Sequence, residues 1–457
     1  MEATYSFKIQ ITKNYRVSSE LRAIRYKAYT PLKVPLGPLH RDNPDLQNME
    51  KEKRRYMSYF FDRLVNSSKE KGQIICESSD NSGHIWARNT CTKVVSELEE
   101  EARAFYAEDI NLDKDHLVAM LLLDACFMLE LFHRCLLISV PNNNDQSLPL
   151  DPLAGSFPMV QALRNDLMLL ENQIPYVVLQ KLFDLVPDLK KVSIGTPDMS
   201  LEGHIFCFFN SVPMLQHKIL NFKDGSYRHL LDMLYHDCCF SNTSKSPPSM
   251  ISPHSKNNKN WGLTKCATEL YKSGVRLVCD QNRAVVDIRY NEGEISIPQV
   301  IIGKSSDTVF RNLIALEQTS TGGHSVTSYV KIMSTLIRSP KDADLLEQLG
   351  IIKKSDGETD ASAFFERLCR GVVFVDFCYT DLCKEVNDYH LPVWKWRRLK
   401  GYYRIKYVEW KESTKDMMNR DHFQNRWHPL KFLATSILIL LAFLQTFYTI
   451  RAYYHPA

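Results

Sequence analysis

None of the twelve cysteines, at positions 76, 91, 126, 135, 207, 238, 239, 266, 279, 369, 378 and 383, stands in a CxxC pair. A disulfide-stapled secreted scaffold is short and evenly knotted, so this scatter reads as reduced, mostly buried thiol in a reducing compartment. His236, Cys238 and Cys239 are soft ligands, but no second pair lies at finger or ribbon spacing, so no zinc module is encoded. Charge of one sign is also missing: 57 basic against 53 acidic residues leave a net +4. There is no global pull toward nucleic acid, and any electrostatic role is local. The GxSxG elbow, HExxH and the kinase motif set are absent. Thr319-Ser-Thr-Gly-Gly-His324 lacks phosphate-loop spacing and reads as a turn. The expectation is a protein with no enzyme chemistry, no metal and no cofactor. Residues 1–27 contain no apolar h-region, which excludes a signal peptide.

What is present is an ordinary globular composition, 44% hydrophobic and 24% charged, with length enough for a large core. One stretch departs from it. Phe432 to Ile450 carries no charge and only Gln445 as a strongly polar residue. At 1.5 Å per residue it spans roughly 28 Å, close to bilayer thickness. Trp427, Tyr448, Tyr453 and Tyr454 suit an interfacial aromatic belt. Lys415, Arg420, Arg426 and Lys431 precede the run and Arg451 follows it, which places the bulk of the chain in the cytosol. The expectation is a tail-anchored, single-pass membrane protein over 431–451, with the lipid bilayer as a partner. Asn66-Ser67-Ser68 and Asn242-Thr243-Ser244 are sequons that speak against the cytosolic orientation.

Along the chain, a polar arm (1–30) leads into Pro31-Leu-Lys-Val-Pro-Leu-Gly-Pro-Leu-His40, a punctuated strip unsuited to helix. Met49 to Val65 and Cys91 to Tyr106 read as amphipathic helices, with 67–82 a loop between them. Asp115 is the expected cap of the next helix, His116 to Ser139, so apolar that it belongs in a core. Asp124, Glu130, His133 and Arg134 interrupt it, which argues against a second membrane span. Phe157 to Leu170 continues the helical part, 31–240. Ser241 to Asn260 is a Ser/Pro/Asn-rich linker. In the second part, 261–420, three β-branched runs (Val275–Cys279, Ala284–Tyr290, Glu294–Ile302) predict a small antiparallel meander. Helical patterning resumes at Phe310, Ser325, Ala343 and Ala361. The expected fold is predominantly α-helical (α+β) with that meander, plus one C-terminal transmembrane helix.

Read together, several segments carry a resemblance. They are Pro35-Leu-Gly-Pro-Leu-His40, Met49-Glu-Lys-Glu-Lys53, Ala102-Arg-Ala-Phe-Tyr106, Met120-Leu-Leu-Leu-Asp124 with Cys126-Phe127, and Leu169-Leu-Glu-Asn-Gln-Ile-Pro175. Gly274-Val-Arg-Leu, Ile297-Pro298, Arg311-Asn-Leu-Ile-Ala-Leu-Glu-Gln318 and Gly350-Ile-Ile352 follow in the second half. In this order, over roughly residues 30 to 450, they resemble the plant domain of unknown function 247 family, also called uncharacterised protein family 0481. Leu36 and Ala125 are mild departures from residues common in that family. The resemblance implies a plant protein with a C-terminal membrane helix and supplies no catalytic residue. Some members in grasses are implicated as self-incompatibility determinants, which implies recognition or signalling.

The candidate polar cluster is Asp124, Asp166, Glu171, Asn172 and Glu317. As chemistry, these could converge on a ligand or catalytic site. As structure, they would cap helix ends and bridge buried backbone donors. Trp394 to Tyr407 interleaves six basic residues with five aromatics. Its Arg397, Arg398, Lys400 and Arg404 are candidate membrane-surface residues, and it also reads as the solvated face of a helix. The functional expectation is a membrane-anchored recognition, signalling or scaffold protein with a protein partner and no nucleic acid. The rivals are an enzyme centred on Asp124 and Glu171, and a cell-surface ligand or receptor. Carboxylates bonded to backbone would favour a scaffold; carboxylates lining an open cleft would favour an enzyme.

Overall fold

The computed structural model describes residues 13–70, 82–139, 150–191, 199–210, 227–239, 262–281, 283–319, 323–355 and 360–389, with 437–438, 441–442 and 445. Before position 240 the helices are α1 (Ser19–Ile24), α2 (Asn48–Glu70), α3 (Ser82–Glu97), α4 (Glu99–Phe105), α5 (Lys114–Ser139), α6 (Phe157–Leu167), α7 (Tyr176–Leu185), α8 (Pro187–Lys190), α9 (Leu201–Phe209) and α10 (Leu230–Cys239). After position 261 come α11 (Ala267–Lys272), strands β1 (Arg276–Asp280), β2 (Arg289–Asn291), β3 (Glu294–Pro298) and β4 (Val300–Ile302), then α12 (Ser306–Gln318), α13 (Ser325–Leu336) and α14 (Pro340–Gln348). β5 (Ile352–Lys354), α15 (Ala361–Cys369) and α16 (Thr380–Asn387) complete them. The chain divides into one compact unit of Met1–Tyr271 with Val275–His390, and a second of Lys272–Gly274 with Leu391–Ala457. The fold and site belong to the first unit.

α5 is the axis of that unit because it is apolar on every side, and α2, α3, α7 and α9 pack around it. Tyr56 of α2 meets Phe127 with ring centroids 5.3 Å apart, and Phe132 meets Phe208 of α9 at 5.0 Å. The cap of α5 is Asp113 rather than Asp115: its carboxylate accepts from His116 N at 2.8 Å and its carbonyl from Leu117 N at 3.0 Å. All four ionisable residues inside the helix are partnered. Glu130 accepts from Arg63 at 2.8 Å and Arg134 at 2.7 Å, and Arg134 also reaches Asp151 at 3.2 Å. His133 Nδ1 lies 3.3 Å from His204 Nε2, and burial holds both imidazoles below their ordinary pKa, so they are neutral. A second aromatic centre joins α12, α13 and α15, where Phe310 stacks on Tyr329 at 6.1 Å and meets Phe364 at 6.0 Å.

The expected single helix over 91–106 is two, α3 and α4, broken at Leu98 because Glu99 turns inward to bind Arg103 at 2.7 Å. The expected loop over 67–82 is helix as far as Glu70, where α2 ends with Ser67 and Ser68 buried, and 71–81 lies outside the described residues. The antiparallel meander is also corrected. β3 lies between β1 and β2, parallel to β1 and antiparallel to β2. β4 leaves that sheet and pairs in parallel with β5. Among the described strands only β2 and β3 have a two-residue turn between them, Glu292 and Gly293 at φ 43° and 86°, which is the geometry a tight hairpin requires. The run from Ala284 to Ile288 packs into the core instead of pairing.

The C-terminal transmembrane helix is not supported. Among the described residues no helix is long and apolar enough to cross a membrane. Of the 431–451 run only Ile437, Leu438, Leu441, Ala442 and Gln445 are described, and the rest lies outside the described residues. The tail anchor, the single-pass topology and the membrane localisation therefore lose their basis. An apolar run records reluctance to meet water, not what takes water's place. Residues 241–260, Asn242, and Arg397, Arg398, Lys400 and Arg404 also lie outside the described residues.

Candidate functional site

The strip at 31–40 explains the polar cluster. Pro31, Pro35 and Pro38 carry no N–H and the segment adopts no helix or strand, so its remaining backbone groups must find side chains once buried. Asp166, at the end of α6, accepts from Leu32 N at 3.0 Å, Lys33 N at 2.6 Å and Val34 N at 2.9 Å. Asn172 Oδ1 accepts from Leu36 N at 2.6 Å, and its Nδ2 donates to Val34 O and Asp166 O, both at 2.9 Å. Asp124, deep in α5, accepts from Gly37 N at 2.8 Å and Lys53 Nζ at 2.7 Å, and Lys53 also donates to Pro35 O at 2.5 Å. Upstream, Glu171 accepts from Val17 N at 2.8 Å and from Arg22, with His40 Nε2 at 3.3 Å. The N-terminal segment is thus held as a strap, its backbone gripped like a bound peptide.

The same residues close the end of α6. Gln173 Nε2 donates to Leu167 O and Leu169 O, each at 2.8 Å, and its Oε1 accepts from Leu231 N at 3.1 Å. These bonds satisfy helix-end carbonyls that would otherwise lack donors. Glu317 serves a different junction. It accepts from Val326 N at 2.8 Å, Thr327 N at 2.7 Å, Thr327 Oγ1 at 2.6 Å and Tyr235 OH at 2.9 Å, fixing the start of α13 against α10. Asp124, Asp166, Glu171 and Asn172 are therefore brought together on the strap, while Glu317 works beyond it.

Electrostatics divide these carboxyls. Burial raises Asp124 above its ordinary range, although the Lys53 ammonium and the Gly37 N–H favour charge. Burial pushes Asp166 up to about 6, against the pull of its backbone donors, leaving it ionised at neutral pH. Burial also acts on Glu171, but His40, Arg22 and Val17 N outweigh it and hold its carboxyl below the usual range. Glu317 rises to about 7, because burial exceeds the effect of its donors. Asp124, Asp166 and Glu317 each accept from several donors, whereas Glu171 accepts through Oε1 and its buried Oε2 has only His40 Nε2 near it, at 3.3 Å.

Lys53, Arg22 and Asn312 were not among the candidates read from sequence. Lys53 had a legible signal: it falls on the apolar stripe of α2 with Met49, Tyr56 and Phe60, where a lysine needs a buried partner. Asn312 accepts from Leu170 N at 2.9 Å and donates to Ala28 O at 2.8 Å, joining α12 to the strap. Nothing local marked it. Among the described residues no group of three or more His, Cys, Asp or Glu is placed to hold a metal ion.

Where the strap leaves its grip, a cleft of about 190 Å³ opens between three loops. Its walls include Asn14, Arg16, Arg41, Asp42, Tyr106 and Asp109, and none of the five candidate residues. Arg16 pairs with Glu108 at 2.5 Å across one rim.

The family model described as a plant protein of unknown function matches residues 15–441. The chain is 26% identical to UPF0481 protein At3g47200 of Arabidopsis thaliana, an alignment covering 96% of this chain and 86% of that protein. It is 27% identical to the UPF0481 protein At3g02645 of the same plant over 39% of this chain and 32% of that protein. No solved structure matches it. With the match running from the strap through the last described helix of the body, the chain belongs to the plant domain of unknown function 247 family.

Proposed function

We propose that this chain is a recognition or scaffold protein, a rigid helical body that acts by binding a protein partner and not by turning over a substrate. The observation that carries this reading is the fate of the carboxylates. Asp124, Asp166 and Glu171 accept from backbone N–H groups of the strap and stand apart from the cleft. Buried polar groups satisfied in this way rigidify a fold, and a general acid or base needs access to a reacting atom that these lack. The resemblance to proteins implicated in recognition points the same way.

The test combines stability with partner capture. Glu171→Ala is expected to lower the unfolding free energy by roughly 1–3 kcal/mol, the cost of a buried donor left without its acceptor. Proximity labelling with the full-length chain in plant cells is expected to return a reproducible set of protein neighbours. A variant of Asp124 or Glu171 that kept full stability yet lost a catalytic turnover would overturn the reading in favour of an enzyme.

A further inference from the structure

We infer that the cleft beside the strap is a binding site for a small zwitterion of amino-acid or dipeptide size, one carrying a carboxylate and an ammonium a few bonds apart. The inference rests on the recognition reading, since it names something recognised. The cleft walls are fixed in advance. The backbone around Asn14 bridges the loop after α4, with Asn14 N donating to Phe105 O at 2.6 Å and Ala107 N donating to Asn14 O at 3.0 Å. Arg103, held by Glu99, donates to Ile110 O at 3.0 Å and to Leu112 O at 2.9 Å, which pins the far wall. Tyr106 OH donates to Gln173 O at 3.2 Å, and the Asp124–Gly37 bond sets the position from which Pro38 to Arg41 depart. Walls this constrained lose little freedom when a ligand enters.

The groups on those walls lack partners in a specific way. Asn14 is 4% exposed and its Nδ2 donates to Leu170 O, but its Oδ1 is buried with no donor. Among the described residues the Arg41 guanidinium reaches only Glu50, at 3.5 Å, and its Nη1 is buried with no acceptor. Asp42 and Asp109, both exposed to solvent, make no hydrogen bond or ion pair among the described residues. The orphaned guanidinium nitrogen therefore asks for a carboxylate and the orphaned amide oxygen for a donor such as an ammonium, whose charge the exposed carboxylates of Asp42 and Asp109 would favour. A purely anionic or purely cationic ligand would satisfy one of these two buried orphans and leave the other uncompensated. At about 190 Å³ the cleft holds several waters' worth of space, taking about 30 Å³ for each. That admits an amino acid or a dipeptide and is well below the usual size of a drug-like pocket.

Calorimetric titration of the full chain tests this with four probes: alanine, dialanine, alaninamide and N-acetylalanine. Alanine or dialanine is expected to bind, and the two capped forms, each missing one charge, are not. Arg41→Gln and Asp109→Asn are each expected to weaken binding about tenfold or more, with circular dichroism unchanged because both side chains reach solvent. Equal binding of N-acetylalanine and alanine would make this a plain anion site and overturn the proposal. No heat with any probe would also overturn it. Protein neighbours still captured by proximity labelling in that case would leave the recognition reading standing.

Discussion

A carboxylate enclosed with several donors still titrates, and the direction of its stability effect depends on which influence wins. At Glu317 burial wins, raising the folded value to about 7 from an ordinary 4.5. Between those values the folded chain binds the proton more tightly than the unfolded chain, so this group's contribution falls as pH rises from about 4.5 to about 7. Glu317→Gln removes that dependence. Urea unfolding at a series of pH values should show the advantage of the parent chain over the variant shrinking across this window, and a constant difference would contradict it. Glu171 behaves oppositely. With its folded pKa held below the usual range, its contribution is fully present above its ordinary value and is lost as pH falls through the folded one. The residue types were legible as candidates in the sequence. The sign of each shift was not, because it depends on donors contributed by other segments.

At the scale of the element, the strip at 31–40 depends on one glycine. Gly37 has φ +65°, and a Cβ there would sit 2.9 Å from both Gln173 O and the Tyr106 hydroxyl. Gly350, following α14, has φ +75° with nothing within 4 Å of its missing Cβ. Alanine at Gly350 should therefore cost only the left-handed backbone, about 1–2 kcal/mol. Gly37→Ala adds overpacking to the same backbone term, for roughly 2–4 kcal/mol. Chemical denaturation of the two variants side by side checks the order, and equal losses would show that the strip can shift to make room. The strip's lack of helix was readable from its prolines. The parallel pairing of β1 with β3 was not, since β-branched runs announce strands but not their neighbours.

For the molecule as a whole, the strap completes the core and is not an appendage. Without it Lys53, Asp124, Asp166, Glu171 and Asn172 would each lose their strap partners while buried or newly wetted, although Lys53 would keep Asp124 and Asn172 would keep Asp166 O. At roughly 1–3 kcal/mol for each such group, the loss rivals the 5–15 kcal/mol that holds a typical domain. A chain lacking residues 1–40 is expected not to fold alone, and a peptide of residues 13–40 added in trans is expected to restore cooperative melting by circular dichroism. A truncated chain that melted cooperatively without the peptide would show the strap to be peripheral.

Helical class, the burial of α5 and the family were all determined by the sequence itself, because apolar periodicity and ordered motifs are written within single segments. The partnering of the polar residues was decided only by the tertiary structure. Gly37 and Asp124 stand 87 positions apart, and Leu32 and Asp166 stand 134 apart. A hydrogen bond needs a donor and an acceptor within about 3 Å, and only the packing of α5 and α6 against the strap brings those atoms to that distance.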